Sequence, residues 1–127
     1  MERLDPRASK RVSGPSWAKV RPQFERINEA LLAVSPETQG MLTTVYVKYA
    51  PDPHQQPFAV LWVRKSTELI LGLSLPEEFE SPHLGESPVG CKYAGLTWYL
   101  TVLPEDDVPD EIDDWAKLAH AHARAQG

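Results

Sequence analysis

The clearest pattern along the chain is an alternation of apolar and polar positions that predicts four β-strands. The segment MLTTVYVKYA, residues 41–50, alternates in this way and is rich in β-branched and aromatic residues, which favours one strand. FAVLWVRK and ELILGLSL predict a hairpin that turns at Lys65, Ser66 and Thr67. The last strand comes late in the chain, and its inner face is predicted to carry Leu96, Trp98, Leu100 and Val102.

The two arms of the hairpin differ in their apolar pattern. Residues 58–63 are apolar on both faces, which predicts a central strand. One face of the second arm carries Leu69, Leu71, Leu73 and Leu75. The opposite face of the sheet is expected to be half-polar, and we expect a partner to dock there. Its predicted members are Gly72, Ser74, Thr97, Tyr99 and Thr101, with part of the strand at 41–50.

Two amphipathic helices are predicted to flank the strands. The first runs from near Ser16 or Arg21 to Val34, and its apolar stripe is Phe24, Ile27, Leu31 and Val34. The second begins near Pro109, and its buried stripe is Ile112, Trp115, Ala119 and Ala123. The sequence therefore predicts a two-layer α+β fold with an N-terminal helix, about four mainly antiparallel strands and a C-terminal helix.

The first residues of the chain follow neither a helical nor a strand period. Residues 1–15 contain proline, serine and glycine, which predicts a flexible basic tail in front of a single α+β domain at 16–127. Through Arg26 the chain carries seven basic and three acidic residues, a net charge of +4. The remainder carries six basic and fifteen acidic residues, a net charge of −9. A basic segment thus precedes an acidic domain.

Composition restricts the class of protein further. A chain of 127 residues with 42% hydrophobic residues is long enough for one domain with its own core. The single cysteine, Cys91, has no internal partner, which favours a reducing, cytoplasmic location. The sequence shows no apolar run long enough to span a bilayer and no signal-peptide pattern, so we expect no contact with membranes.

Enzymatic motifs do not stand out, and the sequence favours a non-catalytic protein without cofactor or metal. His120 and His122 are two residues apart on a predicted helix, which does not suit a shared metal ion, and His54 and His83 lie in separate loops. Cys91 is interpreted as an incidental thiol. An acidic cluster is interpreted as a solvated helix start, and it comprises Glu105, Asp106, Asp107, Asp110, Glu111, Asp113 and Asp114.

Two groups of residues are candidates for binding. Lys92 and Tyr93, at the entrance of the last strand, are predicted to join Trp98 and Tyr99 in a surface that stacks bases or contacts a protein. The basic N-terminal segment offers a second candidate surface, with Arg7, Lys10 and Arg11. Core packing of the aromatic residues and a merely solubilising tail are the alternatives.

The order of these segments resembles a bacterial family of small domains of unknown function. The resemblance covers roughly residues 40–125 and rests on FAVLWVRKSTELILGLSLPEE, CKYAGLTWYLTV and PDEIDDWAKLAHAHA. It implies a small α+β fold, found alone or attached to other modules, some of them nuclease-like, and it implies no reaction. The layout is also similar to YdhG-type domains and to secretion-chaperone-like folds.

Three functions remain open at this point. The first is a non-catalytic accessory domain that recognises a protein partner through its sheet face. The alternative is a nucleic-acid-associated domain that uses the basic N-terminal arm, and the third is a small-molecule enzyme without a recognisable motif. We expect a monomer or a homodimer.

Overall fold

The computed structural model describes residues 4–43, 45–51, 56–76, 78–85 and 96–126. Three α-helices are present in these ranges: α1 (Pro6–Val12), α2 (Arg21–Leu32) and α3 (Ile112–Gln126). A 3₁₀ helix, Pro15–Val20, leads directly into α2. The five strands are β1 (Gln39–Thr43), β2 (Tyr46–Ala50), β3 (Ala59–Arg64), β4 (Glu68–Leu73) and β5 (Trp98–Val102).

The strands form one antiparallel sheet in the order β1-β2-β3-β4-β5, which confirms the α+β prediction with five strands in place of about four. The difference comes from residues 41–50, which were predicted to be one strand. They belong instead to a hairpin of β1 and β2, in which Thr43 lies opposite Tyr46. The alternation of apolar residues continues through the reversal, and no glycine, proline or asparagine marks it, so the pattern alone did not reveal the turn.

The turn between β3 and β4 lies where the sequence predicted it. Lys65 and Ser66 have φ angles of 57° and 61°, and the amide of Thr67 donates to the carbonyl of Arg64 at 3.3 Å. Two successive positive φ angles define the type of turn whose twist matches a two-stranded antiparallel ribbon. The hairpin is thus made without the glycine or asparagine that usually fills such positions.

The helices cover one face of the sheet and enclose the main core. The predicted leucine face of β4 is fully buried there: Leu69, Leu71, Leu73 and Leu75. The predicted stripe of α3 is buried in the same core: Ile112, Trp115, Ala119 and Ala123. From α2 come Phe24, Ile27 and Leu31, so the apolar positions that predicted the two helices are those that contact the sheet.

The prediction of a flexible tail at residues 1–15 is wrong for the part that the structure describes. Ala8 and Val12 on α1 are buried in the main core, and Leu4 pairs with Gly40 of β1. Asp5 begins the helix, because its Oδ1 accepts a hydrogen bond from the amide of Ala8 at 2.6 Å. A helix of seven residues buries too few positions to show a clear period.

Two further residues lie on faces other than those predicted. Leu96, expected on the inner face with Trp98, precedes β5 and packs on the opposite side of the sheet. Ser74, expected on the outer face, lies beyond the end of β4, and its Oγ is 3.1 Å from Nδ1 of His122 on α3. Both residues stand outside the regular strands, where strict alternation of side chains no longer applies.

Candidate binding surfaces

The sheet face away from the helices carries a small apolar cluster, which we call the outer cluster. Its buried members are Val60, Trp62, Ile70, Leu96 and Tyr99, and Tyr46 packs against them. The rings of Tyr46 and Trp62 meet edge to face with centroids 5.2 Å apart, and those of Trp62 and Tyr99 are 6.2 Å apart. The rings therefore pack on one another, in the arrangement that aromatic pairs prefer.

Tyr99 lies close over the backbone of β4. It stands opposite Gly72 in the register, and a Cβ atom at Gly72 would lie 2.8 Å from Cε2 of the tyrosine ring. Glycine at this position is what allows the ring to approach the strand so closely. The predicted position of Gly72 and Tyr99 on the outer face is confirmed, but Tyr99 is only 3% exposed.

The predicted stacking surface of Trp98 and Tyr99 is wrong. Adjacent residues of β5 point to opposite faces, so Trp98 packs against the main core while Tyr99 belongs to the outer cluster. Nε1 of Trp98 donates to the carbonyl of Pro76 at 3.0 Å. The two rings form no common platform. The other predicted members, Lys92 and Tyr93, lie outside the described residues, as do Cys91 and His54.

The basic residues of α1 do form a common surface, which we call the basic face. Arg7, Lys10 and Arg11 are spaced three and four residues apart, which places them on one side of the helix, and all three are exposed. Ala8 and Val12 are buried on the other side. Because α1 is held against the core, the basic face has a fixed position on the domain.

The acidic cluster follows β5 in the chain and continues into α3. β5 and β1, the strand that α1 contacts, are the two edge strands of the sheet. The predicted solvated helix start is confirmed, since all seven side chains are exposed: Glu105, Asp106, Asp107, Asp110, Glu111, Asp113 and Asp114.

Some of these carboxylates have specific partners. Arg26 of α2 makes two hydrogen bonds to Asp113 of α3, at 2.8 and 3.3 Å. This pairing lowers the pKa of Asp113 and raises the pKa of Arg26. Asp106 accepts a hydrogen bond from the amide of Leu103 at 2.9 Å. The first contact therefore joins α2 to α3, and the second closes a local turn after β5.

An open groove of about 610 Å³ lies between the first turns of α2 and the acidic segment. It is lined by Pro22, Gln23, Arg26, Asp106, Asp107, Val108, Pro109 and Asp110. Sequence reasoning did not identify this groove. Its two walls are some eighty residues apart in the sequence, and no local period connects them.

The two histidines of α3, His120 and His122, are half-buried. The ring of His120 meets that of Phe58 edge to face at 5.3 Å, and His122 approaches Ser74. Burial lowers the pKa of His120, and the nearby Arg124 lowers it further. Across the described ranges, no three histidine, cysteine, aspartate or glutamate side chains come together as a metal site.

His83 lies in the loop that follows β4, and it contacts residues at the start of α3. Its Nε2 lies 3.4 Å from a carboxylate oxygen of Glu111, and its ring centroid lies 6.2 Å from that of Trp115. Both partners of the ion pair are about half exposed, so the pair contributes little to stability. The loop continues to Gly85, which pairs with Tyr99 along the free edge of β5.

Comparison of the chain with family models, curated proteins and solved structures found no match. The resemblance to a bacterial family therefore stays a prediction. Among the helices that the structure describes, none is long and apolar enough to cross a membrane.

Proposed function

We propose that this protein is a non-catalytic binding domain that recognises another macromolecule, and that the basic face of α1 is its contact surface for nucleic acid. The observation that carries the proposal is the spacing of Arg7, Lys10 and Arg11 on an anchored helix. Cations held on a folded surface approach a phosphate backbone without the ordering cost that a flexible arm incurs.

The charge distribution supports this choice of surface. Within α1 itself there is no acidic residue, and Lys10 and Arg11 lie in its last turn. The acidic residues of the cluster lie elsewhere in the chain, on the segment after β5 and the first turns of α3.

Docking of a protein partner on the sheet face was our first expectation, and it remains the second candidate. The outer cluster favours it in one respect, because apolar residues occupy positions of β3 and β4 that face away from the helices. However, Val60 and Ile70 are fully buried and Trp62 is 9% exposed, so this cluster presents little apolar surface to a partner. The basic face is the better supported surface.

Compartment and assembly belong to the same proposal. The single Cys91 favours a reducing cytoplasm, and we propose a monomer or a homodimer of bacterial origin. Neither the compartment nor the oligomeric state changes the chemistry by which the basic face would contact nucleic acid.

The test is a titration with generic single- and double-stranded DNA at low and at physiological salt. We expect the logarithm of the association constant to fall linearly with the logarithm of the salt concentration. The slope should be about −0.9 for each duplex phosphate that the protein neutralises. A double variant, Arg7→Gln with Lys10→Gln, is expected to reduce that slope by about two while the protein stays folded. Lys117→Gln is the matched control, because Lys117 is an exposed cation on α3.

Two results would overturn the nucleic-acid proposal. One is no binding even at low salt. The other is an equal loss per charge removed in the double variant and in Lys117→Gln, since that would show a non-specific response to net charge. Either result would leave the sheet face as the surface to examine with protein partners.

A further inference from the structure

The two halves of α3 are held on the sheet by side chains of different size. The first half buries Ile112 and Trp115 in the main core. In the second half, residues 119–126, the buried apolar side chains of the described residues are those of Ala119 and Ala123. Because a single methyl group removes little apolar area from water, apolar burial holds the second half more weakly than the first.

Two imidazole rings add contacts in the second half. The ring of His120 meets that of the fully buried Phe58 edge to face, with centroids 5.3 Å apart. Two residues further on, Nδ1 of His122 lies 3.1 Å from Oγ of Ser74 at the end of β4. Docking of the second half therefore depends to a large extent on its histidines.

The surroundings of His120 suit a neutral ring. Its Nε2 is buried and has no hydrogen-bond partner within the described ranges. A neutral imidazole can leave one nitrogen without a proton, whereas the imidazolium carries an N–H on both nitrogens. A buried N–H of a charged ring without an acceptor is more costly than a buried nitrogen without a donor. Water would accept that N–H if the helix left the sheet, so protonation favours the undocked helix.

Two charged side chains act on His120 with opposite signs. Arg124 lies four residues further along α3, on the same side of the helix, and its charge disfavours the imidazolium. Glu37, in the segment between α2 and β1, favours it. Burial and Arg124 outweigh Glu37, so the pKa of His120 lies below its usual value of 6.5. On the sheet side the helix meets Phe58 and Ser74, which carry no charge.

We propose that the second half of α3 is a pH-sensitive latch, docked on the sheet while His120 is neutral and released when His120 takes up a proton in mild acid. The released helix binds this proton more readily than the docked helix, so the docked state loses stability as the pH falls below about 6.5. Release uncovers one side of the Phe58 ring, while Trp115 keeps the first half of α3 in the core. The latch is independent of the nucleic-acid contact proposed above.

The experiment is hydrogen exchange of the intact protein at about pH 7.5 and about pH 5.5, one unit on either side of the usual histidine pKa. Each rate is divided by the exchange rate of an unstructured peptide at the same pH, which gives a protection factor. We expect the protection of the amides of residues 119–126 to be about fivefold lower at the lower pH. One proton taken up on opening changes the opening equilibrium by at most about tenfold per pH unit.

Two histidine variants assign the effect to one ring. His120→Leu keeps an apolar side chain against Phe58 and removes the titrating group, so the protection of residues 119–126 should be the same at both pH values. His83→Gln is the matched control, because the side chain of His83 is 46% exposed and lies outside α3. It should leave the fivefold difference unchanged.

Two charge variants are expected to act in opposite directions. Arg124→Gln removes the cation that disfavours the imidazolium, so the difference in protection between the two pH values should become smaller than in the wild type. Glu37→Gln removes the anion that favours it, so the difference should become larger. If His120→Leu does not fold, these two variants decide the matter.

The proposal is overturned if the wild type shows equal or higher protection of residues 119–126 at the lower pH. It is also overturned if a folded His120→Leu variant keeps the fivefold difference, or if the two charge variants change the difference in the same direction or not at all. Exchange of residues 119–126 at the rate of the β3 amides would show that α3 opens only with the whole domain, which excludes a latch.

Discussion

The hydroxyl of Tyr49 donates a hydrogen bond of 2.6 Å to Oδ1 of Asn28 in the centre of the domain. Tyr49 on β2 is fully buried, and Asn28 on α2 is 4% exposed. The bond therefore joins the sheet to the helical layer where water has no access. A buried polar pair of this kind favours one arrangement of helix and strand, because a shifted arrangement would break a hydrogen bond between two buried groups.

Replacing Tyr49 by phenylalanine tests the importance of this bond. Tyr49→Phe keeps the ring and removes the donor to Asn28, so we expect the free energy of unfolding to fall by about 1–3 kcal/mol. Urea unfolding monitored by circular dichroism measures the change. The double variant Tyr49→Phe with Asn28→Leu removes both polar groups of the pair, and comparison with the two single variants gives the energy of their interaction. A loss in the single variant of less than about 0.5 kcal/mol would contradict the prediction.

The same tyrosine predicts how stability responds to alkaline pH. Burial raises the pKa of Tyr49 far above its usual value of 10.0. The unfolded chain then loses this proton near pH 10 while the folded chain keeps it. The contribution to stability is complete below pH 10 and decreases above it, by about 1.4 kcal/mol per pH unit. We expect a steeper loss between pH 10 and pH 11 in the wild type than in Tyr49→Phe, and parallel curves would exclude this origin.

The sequence predicts the fold best where one local signal decides the structure. The leucine alternation of β4 and the stripe of α3 both depend on burial of one face, and each was confirmed residue by residue. The hairpin between β1 and β2 was missed because its reversal carries no turn residue. The helix α1 was missed although Asp5 and Pro6 together form a typical helix start. Only Ala8 and Val12 are buried along it, and two positions do not establish a helical period.

The candidate site was harder to predict, because it depends on contacts between distant segments. Gln23 is an ordinary polar residue of an amphipathic helix in the sequence, yet in the structure it is buried by the segment that follows β5. Trp98 and Tyr99 have the residue types of a binding surface, but their rings pack on opposite faces of the sheet. Arg7, Lys10 and Arg11 were identified by charge alone, which needs no tertiary information.

The anchoring of α1 is tested at Val12. Its side chain is 3% exposed, so Val12→Ala removes two buried methyl groups and should lower the free energy of unfolding by about 1–2 kcal/mol. Lys10→Ala, on the exposed side of the same helix, should change it by less than about 0.5 kcal/mol. Chemical denaturation of both variants provides the comparison. Equal changes in the free energy of unfolding of the two variants would show that α1 does not unfold cooperatively with the rest of the domain.

The turn at Lys65 and Ser66 predicts substitutions with opposite effects. Ser66 has a φ of 61°, a conformation that is unfavourable for residues with a Cβ atom, so Ser66→Gly should stabilise the protein by about 0.5 kcal/mol. The neighbouring Thr67 does not share this conformation, because in the described ranges Lys65 and Ser66 are the residues other than glycine with a positive φ. Thr67→Gly should therefore destabilise by a similar amount, through greater freedom of the unfolded chain. Thermal unfolding of both variants tests the difference in sign.

Trp115 tests the packing of α3 on the rest of the core. It is 3% exposed and belongs to the cluster that also contains Leu100 and Val102 of β5. Trp115→Ala leaves a large cavity between helix and sheet, and we expect a loss of about 3–5 kcal/mol, a large share of the typical 5–15 kcal/mol of a domain. Leu118→Ala is the control on the same helix, because Leu118 is 45% exposed, and it should cost less than about 1 kcal/mol. Urea unfolding of both variants gives the two values. If Trp115→Ala cost no more than Leu118→Ala, α3 would have to be rotated about its axis, and the ion pair of Arg26 with Asp113 would be lost with it.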